Sequence, residues 1–253
     1  MDESVKKYIH DKIKRDGTLH MTLLDPEKTG PEKSCRIAIE AEKGGSSAIM
    51  VGGSTLASNQ ILDEVVKTIK KSVNIPVILF PNNISGISPY ADAIWFMSLL
   101  NSSNTYYLID VQALTAKIIK KYGLEALSMG YIIVGEGGAA GFIGQARHIS
   151  YEHPELVLGY SLAAEILGMQ FIYIEAGSGA SIPVPLEMVK MVKSHISIPL
   201  IVGGGIRDDD TAFKIAEAGA DIIVTGTIIE ETDLIQSKIG SIVEKIKLAK
   251  VKH

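Results

Sequence analysis

The amino-acid sequence predicts one α/β domain over residues 1–253, a (β/α)₈ TIM-type barrel. Short apolar runs rich in β-branched residues alternate with stretches of helical length, which is typical of repeated βα units around a parallel sheet. The chain of 253 residues has the usual length of one such barrel. Polar and glycine residues follow most of the apolar runs, which indicates a functional rim at the carboxyl ends of the strands.

The predicted elements alternate along the whole chain, and no Pro/Ser-rich linker divides it. Strands are predicted at residues 19–24, 48–51, 77–80, 93–97, 131–134, 171–174, 200–202 and 222–224. Helices are predicted near residues 31–43, 58–72, 105–121, 155–168, 185–195, 208–218 and 232–251. The link between the third and fourth strands is short and is predicted to be irregular. Eight βα units favour a closed barrel over an open doubly wound sheet.

The side chains that follow the predicted strands are those expected at an active rim. They are Asp25, 52–55, Asn82 with Asn83, Ser98 with Asn101, 136–138, Glu175, 203–205 and Gly226 with Thr227. Barrel enzymes build their active sites from the loops at this end of the strands. Asp92 and Asp221 precede their strands instead, so we expect them at the opposite rim in structural roles.

Bulk properties exclude several classes of protein. A formal net charge of −4 argues against a nucleic-acid partner, which needs a concentrated basic surface. The single cysteine, Cys35, cannot form an internal disulfide, which favours a reducing compartment. No stretch has the length and apolar character of a signal core or a transmembrane helix. We therefore expect a cytoplasmic protein, which a lipid substrate can still bring transiently to a membrane.

Glycine turns after the seventh and eighth strands predict a phosphate site. Gly204, Gly205, Gly226 and Thr227 lie where each turn leads into a helix. Without side chains, backbone N–H groups can approach phosphate oxygens, and a helix N-terminus adds partial positive charge. The segment after the sixth strand adds Gly177, Ser178 and Gly179 to the same sector. Each turn alone is also explained by simple strand-to-helix geometry.

Two side chains of the sixth strand are candidates for chemistry. Strand alternation places Tyr173 and Glu175 on one face, which we expect to be the barrel interior. A carboxylate at the end of a buried strand costs free energy unless it has a partner or a task. Glu175 is therefore the stronger candidate, whereas Tyr173 is explained equally well as a packed interior ring. Arg207 has two interpretations, a phosphate contact or a partner of the acidic residues that follow it.

The first and second strands predict a Mg²⁺ site on the other side of the rim. Mg²⁺ takes one or two protein oxygen ligands and completes its shell with water and substrate phosphates. The carboxylate of Asp25 and the hydroxyl of Ser54 suit that sparse coordination. Asp25 precedes a proline, so a turn or helix-cap role is an equal alternative.

Six motifs together resemble one family. LLDPEK, VGGST, DAIWFMSLLNS, YIEAGSGA, VGGGIR and VTGT occur in the order found in the geranylgeranylglyceryl phosphate synthase family, which includes bacterial heptaprenylglyceryl phosphate synthases. The resemblance covers nearly the whole chain. It implies a Mg²⁺-dependent prenyltransferase of archaeal-type lipid biosynthesis that joins geranylgeranyl diphosphate to sn-glycerol 1-phosphate and releases pyrophosphate. It also implies a homo-oligomer.

The resemblance assigns roles to particular residues. It implies that Asp25 and Ser54 bind Mg²⁺, that Glu175 is the general base, and that Tyr173 orients the glycerol. The implied contacts with glycerol phosphate are Tyr173, Ile174, Glu175, Ala176, Gly177, Ser178, Gly179, Gly204, Gly205, Gly226 and Thr227. Four apolar residues in and after the fourth strand are candidates for a prenyl groove, with core packing as the alternative: Trp95, Phe96, Met97 and Leu99.

Other functions remain open on the residues alone. Another phosphate-binding barrel enzyme, such as an isomerase or a Schiff-base aldolase, would share the glycine turns. An aldolase needs a lysine inside the barrel, and the predicted strands contain none. A noncatalytic or flavin-binding barrel would also use the phosphate turns. A prenyl donor longer than geranylgeranyl diphosphate is a further alternative.

Overall fold

The computed structural model describes residues 4–56, 58–230 and 232–249. In these residues eight parallel strands pair in chain order, and the last pairs with the first to close a barrel. The strands are β1 (Leu19–Leu24), β2 (Ala48–Val51), β3 (Val77–Leu79), β4 (Ala93–Leu99), β5 (Glu125–Ile133), β6 (Phe171–Glu175), β7 (Leu200–Gly203) and β8 (Ile222–Thr225). The predicted (β/α)₈ barrel is confirmed.

Helices surround the barrel, and most of them cover the outward faces of the strands. They are α1 (Val5–Asp16), α2 (Pro26–Lys43), α3 (Asn59–Lys70), α4 (Val111–Tyr122), α5 (Gly138–Ile143), α6 (Pro154–Ile166), α7 (Leu186–Lys193), α8 (Asp209–Glu217), α9 (Thr227–Glu230) and α10 (Ile235–Ile246). A 3₁₀ turn covers Ile84–Gly86, and a π-helical turn over Tyr106–Asp110 leads into α4. None of the helices in the described ranges is long and apolar enough to cross a membrane.

Strand alternation divides the core into two layers. Inward side chains such as Met50, Trp95 and Phe171 fill the barrel and are fully buried. Outward side chains such as Ile172 and Ile174 pack between the sheet and the surrounding helices. A parallel sheet buried on both faces explains why its strands read as nearly continuous apolar runs.

Helix α1 closes the amino-terminal end of the barrel and was not predicted from the sequence. Val5, Ile9 and Ile13 lie on one helical face and join the interior cluster of the barrel. The Glu125 carboxylate accepts hydrogen bonds from the Val5 and Lys6 amides, which fixes the start of the helix. The i, i+4 spacing was the available signal, but only three apolar residues carry it.

Some predicted boundaries were wrong for identifiable reasons. Strand β5 starts at Glu125 rather than residue 131, because Ser128 and Gly130 interrupt the apolar pattern without ending the strand. Helix α5 was missed because it is only 6 residues long and two of them are glycine. The last predicted helix reached residue 251, whereas α10 ends at Ile246; residues 250 and 251 lie outside the described ranges.

Two aspartates support the closed end of the barrel, as predicted. The Asp221 carboxylate accepts hydrogen bonds from the Leu200 amide and the Lys193 ammonium, both at 2.7 Å. The Asp92 carboxylate pairs with the Lys70 ammonium at 2.7 Å and also accepts a hydrogen bond from the Val77 amide, at the start of the preceding strand β3. Each aspartate therefore ties a strand to the preceding strand and helix.

Candidate active site

Strand β6 carries Glu175 to the open rim of the barrel. Its side chain points inward and is only 6% exposed. Its Oε1 accepts a hydrogen bond of 2.7 Å from the Gly177 amide. Burial raises the pKa of Glu175, and its interactions with the Tyr173 hydroxyl and the Gly177 amide partly oppose that shift. A buried carboxylate with an elevated pKa in a cavity wall is suited to accept a proton.

Tyr173 is the inward-facing residue of β6 that precedes Glu175, two positions earlier in the strand. Its ring is fully buried, and its hydroxyl lies beside the Glu175 carboxylate without forming a hydrogen bond of regular geometry to a described residue. Burial and the nearby Glu175 charge raise the pKa of Tyr173 well above 10, so the hydroxyl keeps its proton. The neighbouring strand has glycine at 203, where a Cβ would overlap this hydroxyl. Its proton can be donated to Glu175 or to a ligand in the adjoining cavity.

The glycine turns enclose one cavity beside these two residues, which we call the glycine cavity. It is lined by Leu23, Tyr173, Glu175, Ser178, Gly179, Ala180, Gly204, Gly205, Ile206, Arg207, Val224, Thr225, Gly226 and Thr227. Gly204 has φ of +83°, and a Cβ there would overlap the Glu175 carboxylate. Only glycine lets the β7 turn approach the carboxylate this closely.

The structure gathers most of the predicted glycerol phosphate contacts around this cavity, but two side chains lie elsewhere. Ile174 and Ala176 are buried in the layer between sheet and helices. Their side chains therefore face away from the cavity, because strand alternation continues to the end of β6. Gly177 is not among the lining residues, but its amide bonds the Glu175 carboxylate.

Asp25 and Ser54 line a second cavity, which we call the central cavity. Its volume is about 280 Å³, and its walls are Leu23, Asp25, Lys28, Gly52, Gly53, Ser54, Thr55, Phe80, Tyr131, Ala139, Ala140, Glu175, Ser178, Gly226 and Thr227. Asp25 also caps α2, because its Oδ1 accepts from the Glu27 amide at 3.1 Å. Asp25 therefore caps α2 and also lies in the wall of the central cavity, so the two interpretations do not exclude each other.

The residues around Asp25 fit a sparsely coordinated cation. A Cβ at Gly53 would lie 2.6 Å from both carboxylate oxygens, so the β2 turn closely approaches the carboxylate. The Lys28 ammonium lies 3.8 Å from Asp25 Oδ2 and adds positive charge to the same wall. No cluster of three or more His, Cys, Asp or Glu side chains suited to a metal occurs within the described ranges. One carboxylate and one hydroxyl suit Mg²⁺ better than a metal that needs a full protein shell.

A third cavity, the apolar groove, runs from the central cavity towards α4. It is lined by Gly53, Ser54, Phe80, Pro81, Asn82, Met97, Leu99, Tyr107, Val111, Gln112, Tyr131, Ala140, Ile143 and Gly144. Met97 and Leu99 are part of this groove. Trp95 and Phe96 are not, because Trp95 fills the barrel interior and Phe96 packs against the outer layer.

A profile of the PcrB family matches residues 10–246. The chain belongs to the PcrB family. The geranylgeranylglyceryl phosphate synthase of Thermofilum pendens is 54% identical over 239 residues, which cover 94% of this chain and 93% of that protein. The resemblance inferred from the six motifs is therefore confirmed.

Solved structures agree with this membership of the PcrB family. The (S)-3-O-geranylgeranylglyceryl phosphate synthase of Thermoplasma acidophilum, in complex with its substrate sn-glycerol-1-phosphate, is 41% identical and superposes with a TM-score of 0.94 over 97% of this chain and 99% of that one. The wild-type GGGPS of Thermoplasma volcanium is 45% identical, with a TM-score of 0.95 over 99% of this chain and 100% of that one.

Two aromatic residues at the site of this PcrB family member were missed by the sequence reasoning. Phe80 and Tyr131 line both the central cavity and the apolar groove. Their rings lie 5.6 Å and 5.3 Å from the Tyr173 ring, so the three form one aromatic cluster. The signal was an aromatic residue in the inward phase near a strand end, which looks the same in sequence as core packing.

Proposed function

We propose that the chain transfers the geranylgeranyl group of geranylgeranyl diphosphate to sn-glycerol 1-phosphate, forming an ether and releasing pyrophosphate. The relatives described above are geranylgeranylglyceryl phosphate synthases, and the enzyme class predicted from the sequence is confirmed. The Thermoplasma acidophilum enzyme was crystallised with sn-glycerol-1-phosphate, which supports the same acceptor for this chain.

The observation that carries the proposal is the arrangement of three adjoining cavities. The central cavity shares Phe80 and Tyr131 with the apolar groove, and it shares Glu175 and Ser178 with the glycine cavity. An apolar chain, a diphosphate and a phosphorylated alcohol can therefore lie in sequence along one rim. Glu175 lies in the wall where the second and third ligands meet.

The glycine cavity suits the acceptor. Its backbone turns would hold the phosphate, and the Tyr173 hydroxyl would donate to a glycerol oxygen. Glu175 would then accept the proton of the attacking hydroxyl as the new carbon–oxygen bond forms. The carbon–oxygen bond to the diphosphate breaks in the same reaction, and pyrophosphate leaves with the electron pair. Thus no covalent enzyme intermediate is needed.

The central cavity suits the diphosphate. Asp25 and Ser54 would hold Mg²⁺, which when bound offsets the negative charge growing on the leaving group. The Lys28 ammonium, in the wall of the same cavity, would bind oxygens of the diphosphate. The faces of Phe80 and Tyr131 would lie near the prenyl carbon, where π electrons stabilise developing positive charge.

The apolar groove suits the prenyl chain. Its walls are mainly aliphatic and aromatic, and Met97, Leu99 and Val111 supply much of the apolar surface. A donor longer than the geranylgeranyl compound is the alternative within this proposal. Comparing kcat/KM for donors of different chain length under one set of conditions separates the two.

Two alternatives have less support. The eight strands contain no lysine, which leaves a Schiff-base aldolase without its nucleophile. A noncatalytic or flavin-binding barrel would not require a buried carboxylate beside the phosphate turns. A yellow chromophore that survives dialysis, together with ligand binding without turnover, would favour that alternative.

Assembly and location stay predictions. A homo-oligomer is expected from the family resemblance, and the Phe142 ring, which is 87% exposed, is a candidate subunit contact. A cytoplasmic location with transient membrane contact during lipid synthesis is likewise proposed. Light scattering and cell fractionation test these two points.

The decisive experiment supplies purified protein with Mg²⁺, geranylgeranyl diphosphate and sn-glycerol 1-phosphate. We expect a prenyl ether and pyrophosphate by mass spectrometry, and loss of both products when a chelator removes the metal. Asp25→Asn keeps the helix-cap geometry but removes the charge, so the rate should fall on the order of 10²-fold or more. Absence of ether, or a flavin spectrum, would overturn the proposed function.

The matched control is Asp233→Asn, because Asp233 is an exposed aspartate whose ion-pair partner is Arg36. Its rate and Mg²⁺ dependence should equal those of the unmodified protein. If Asp25→Asn also kept an unchanged Mg²⁺ dependence, Asp25 would not be a metal ligand, although ether synthesis would still stand.

A further inference from the structure

Arg207 occupies a distinctive position in the glycine cavity. It follows the β7 glycine turn and lines the cavity together with Gly205 and Thr227. Of the described residues that line this cavity, it is the one with a cationic side chain. Its Nη2 donates a hydrogen bond of 3.1 Å to the Gly179 carbonyl, which holds the guanidinium against the loop after β6.

The acidic residues that follow Arg207 do not account for its charge. Asp208, Asp209 and Asp210 have other partners, which are the Thr211 amide, the Ser241 hydroxyl and the Lys245 ammonium. Over the described ranges, Arg207 forms no ion pair with a carboxylate. One of its five N–H donors bonds the Gly179 carbonyl. No carboxylate of the described residues pairs with the guanidinium, so its positive charge is not offset beside the cavity.

The cavity needs that charge if it binds a phosphate dianion. Backbone N–H groups of the glycine turns supply only partial positive charge. Glu175 lies in the same cavity and, when ionised, repels the phosphate. A guanidinium offsets that repulsion, and its planar fork of donors matches two phosphate oxygens.

We propose that Arg207 binds the phosphate group of the acceptor and makes the glycine cavity selective for a phosphorylated alcohol. This inference rests on the proposed function, which places glycerol phosphate in that cavity. The hydrogen bond to Gly179 positions the guanidinium at the cavity wall. Binding of the acceptor, rather than the chemical step, is the property that Arg207 controls.

The test measures binding without the prenyl donor. Titration calorimetry with sn-glycerol 1-phosphate and, separately, with inorganic phosphate is performed on the unmodified protein, Arg207→Met and Arg207→Lys. Arg207→Met should raise both Kd values by about 10- to 100-fold, the usual value of a charge-assisted hydrogen bond. Arg207→Lys keeps the charge and should raise them by less. The KM of the prenyl diphosphate and kcat should stay within a factor of about three.

Controls separate this role from a structural one. Arg36→Met removes another exposed arginine, on α2 outside the cavity, and should leave both Kd values unchanged. Phosphate affinity should fall with added salt more steeply in the unmodified protein than in Arg207→Met. Should Arg207→Met fail to fold, Arg207→Lys and the salt dependence of the unmodified protein provide the test.

The outcomes distinguish this inference from the proposed function. Unchanged Kd values in a folded Arg207→Met variant, or a fall confined to kcat, would overturn the role of Arg207 while ether synthesis stood. A protein that binds phosphate through Arg207 but forms no ether would overturn the proposed function while the phosphate role stood.

Discussion

A single carboxyl group, that of Glu175, experiences opposing demands at this site. Burial favours its neutral form, whereas proton abstraction needs its ionised form. The Gly177 amide partly stabilises the ionised form. Because the folded-state pKa is raised, the base becomes protonated at a higher pH than an ordinary glutamate would. As the pH is lowered, activity should therefore begin to fall at a higher pH than it would if the base were a solvent-exposed glutamate.

Glu175→Gln tests this role because it keeps the shape and removes the proton-accepting charge. We expect kcat to fall by about 10²- to 10⁴-fold, with the Kd of glycerol phosphate within about threefold. The acid limb of the pH profile of kcat/KM should disappear in the residual activity. Near-normal turnover in a folded variant would rule out Glu175 as the base, and lost affinity with intact kcat would make it a binding residue.

A buried polar network joins strands β1 and β8 on their outward faces. On β1, the His20 ring contacts Ser46 Oγ at 2.7 Å and Thr225 Oγ1, at the end of β8, at 2.8 Å. Thr22 also contacts Ser46 Oγ at 2.7 Å. Burial lowers the pKa of His20 to about 3, so the ring is neutral at pH 7. The network therefore joins β1 to β8 immediately before the Gly226 turn.

His20 should make stability depend on acid pH. Its pKa is lowered on folding, so its contribution is fully present above the unfolded value of about 6.5 and is lost as pH falls towards 3. Between pH 7 and pH 4.5, the free energy of unfolding should drop by roughly 2–3 kcal/mol more in the unmodified protein than in His20→Gln. Urea denaturation at both pH values measures the difference. Equal losses in the two proteins would show that His20 is not buried in its neutral form.

Elements with strong periodicity could be predicted from the sequence, and those held by tertiary contacts could not. Strand β2 was predicted with its observed bounds because apolar residues fill it and glycines end it. Strand β5 was predicted too short because its first half includes Ser128 and Gly130. Pairing with β4 keeps that half extended, and no local pattern reports such pairing.

The candidate site was only partly readable for a similar reason. A carboxylate at the end of a buried strand is costly without a partner or a task, and glycine turns at neighbouring strands support one another, so Glu175 and the β7 turn could be selected from the sequence. Phe80 and Tyr131 could not, because an inward aromatic residue has the same appearance in a packed core and in a cavity wall. Ile174 and Ala176 were included with their segment, although alternation directs their side chains outward.

At the scale of the whole molecule, the two ends of the barrel have different tasks. The closed end holds the Asp92 and Asp221 ties and helix α1, whereas the cavities lie at the other end. Stability and activity should therefore respond separately to substitutions at the two ends.

Asp221→Ala tests this separation because Asp221 is 4% exposed and supports two donors. Removing the carboxylate leaves the Leu200 amide and the Lys193 ammonium without it, which should cost about 2–4 kcal/mol of unfolding free energy. The kcat of the folded fraction should not change. Asp11→Ala is the control, since its ion pair with Lys7 is exposed and its loss should leave stability unaltered. A stable Asp221→Ala protein with impaired kcat would contradict the separation.

Over the described residues, the barrel is closed at the end that α1 covers and open at the rim that holds the cavities. Helix α1 fills the amino-terminal end of the barrel with Val5, Ile9 and Ile13, so substrates and product must enter and leave at the opposite rim. In the proposed reaction the ether product keeps its chain in the apolar groove and its phosphate in the glycine cavity. One product molecule thus occupies the binding sites of both substrates. Neither site can bind a new substrate until the product has dissociated through the open rim, where both substrates entered.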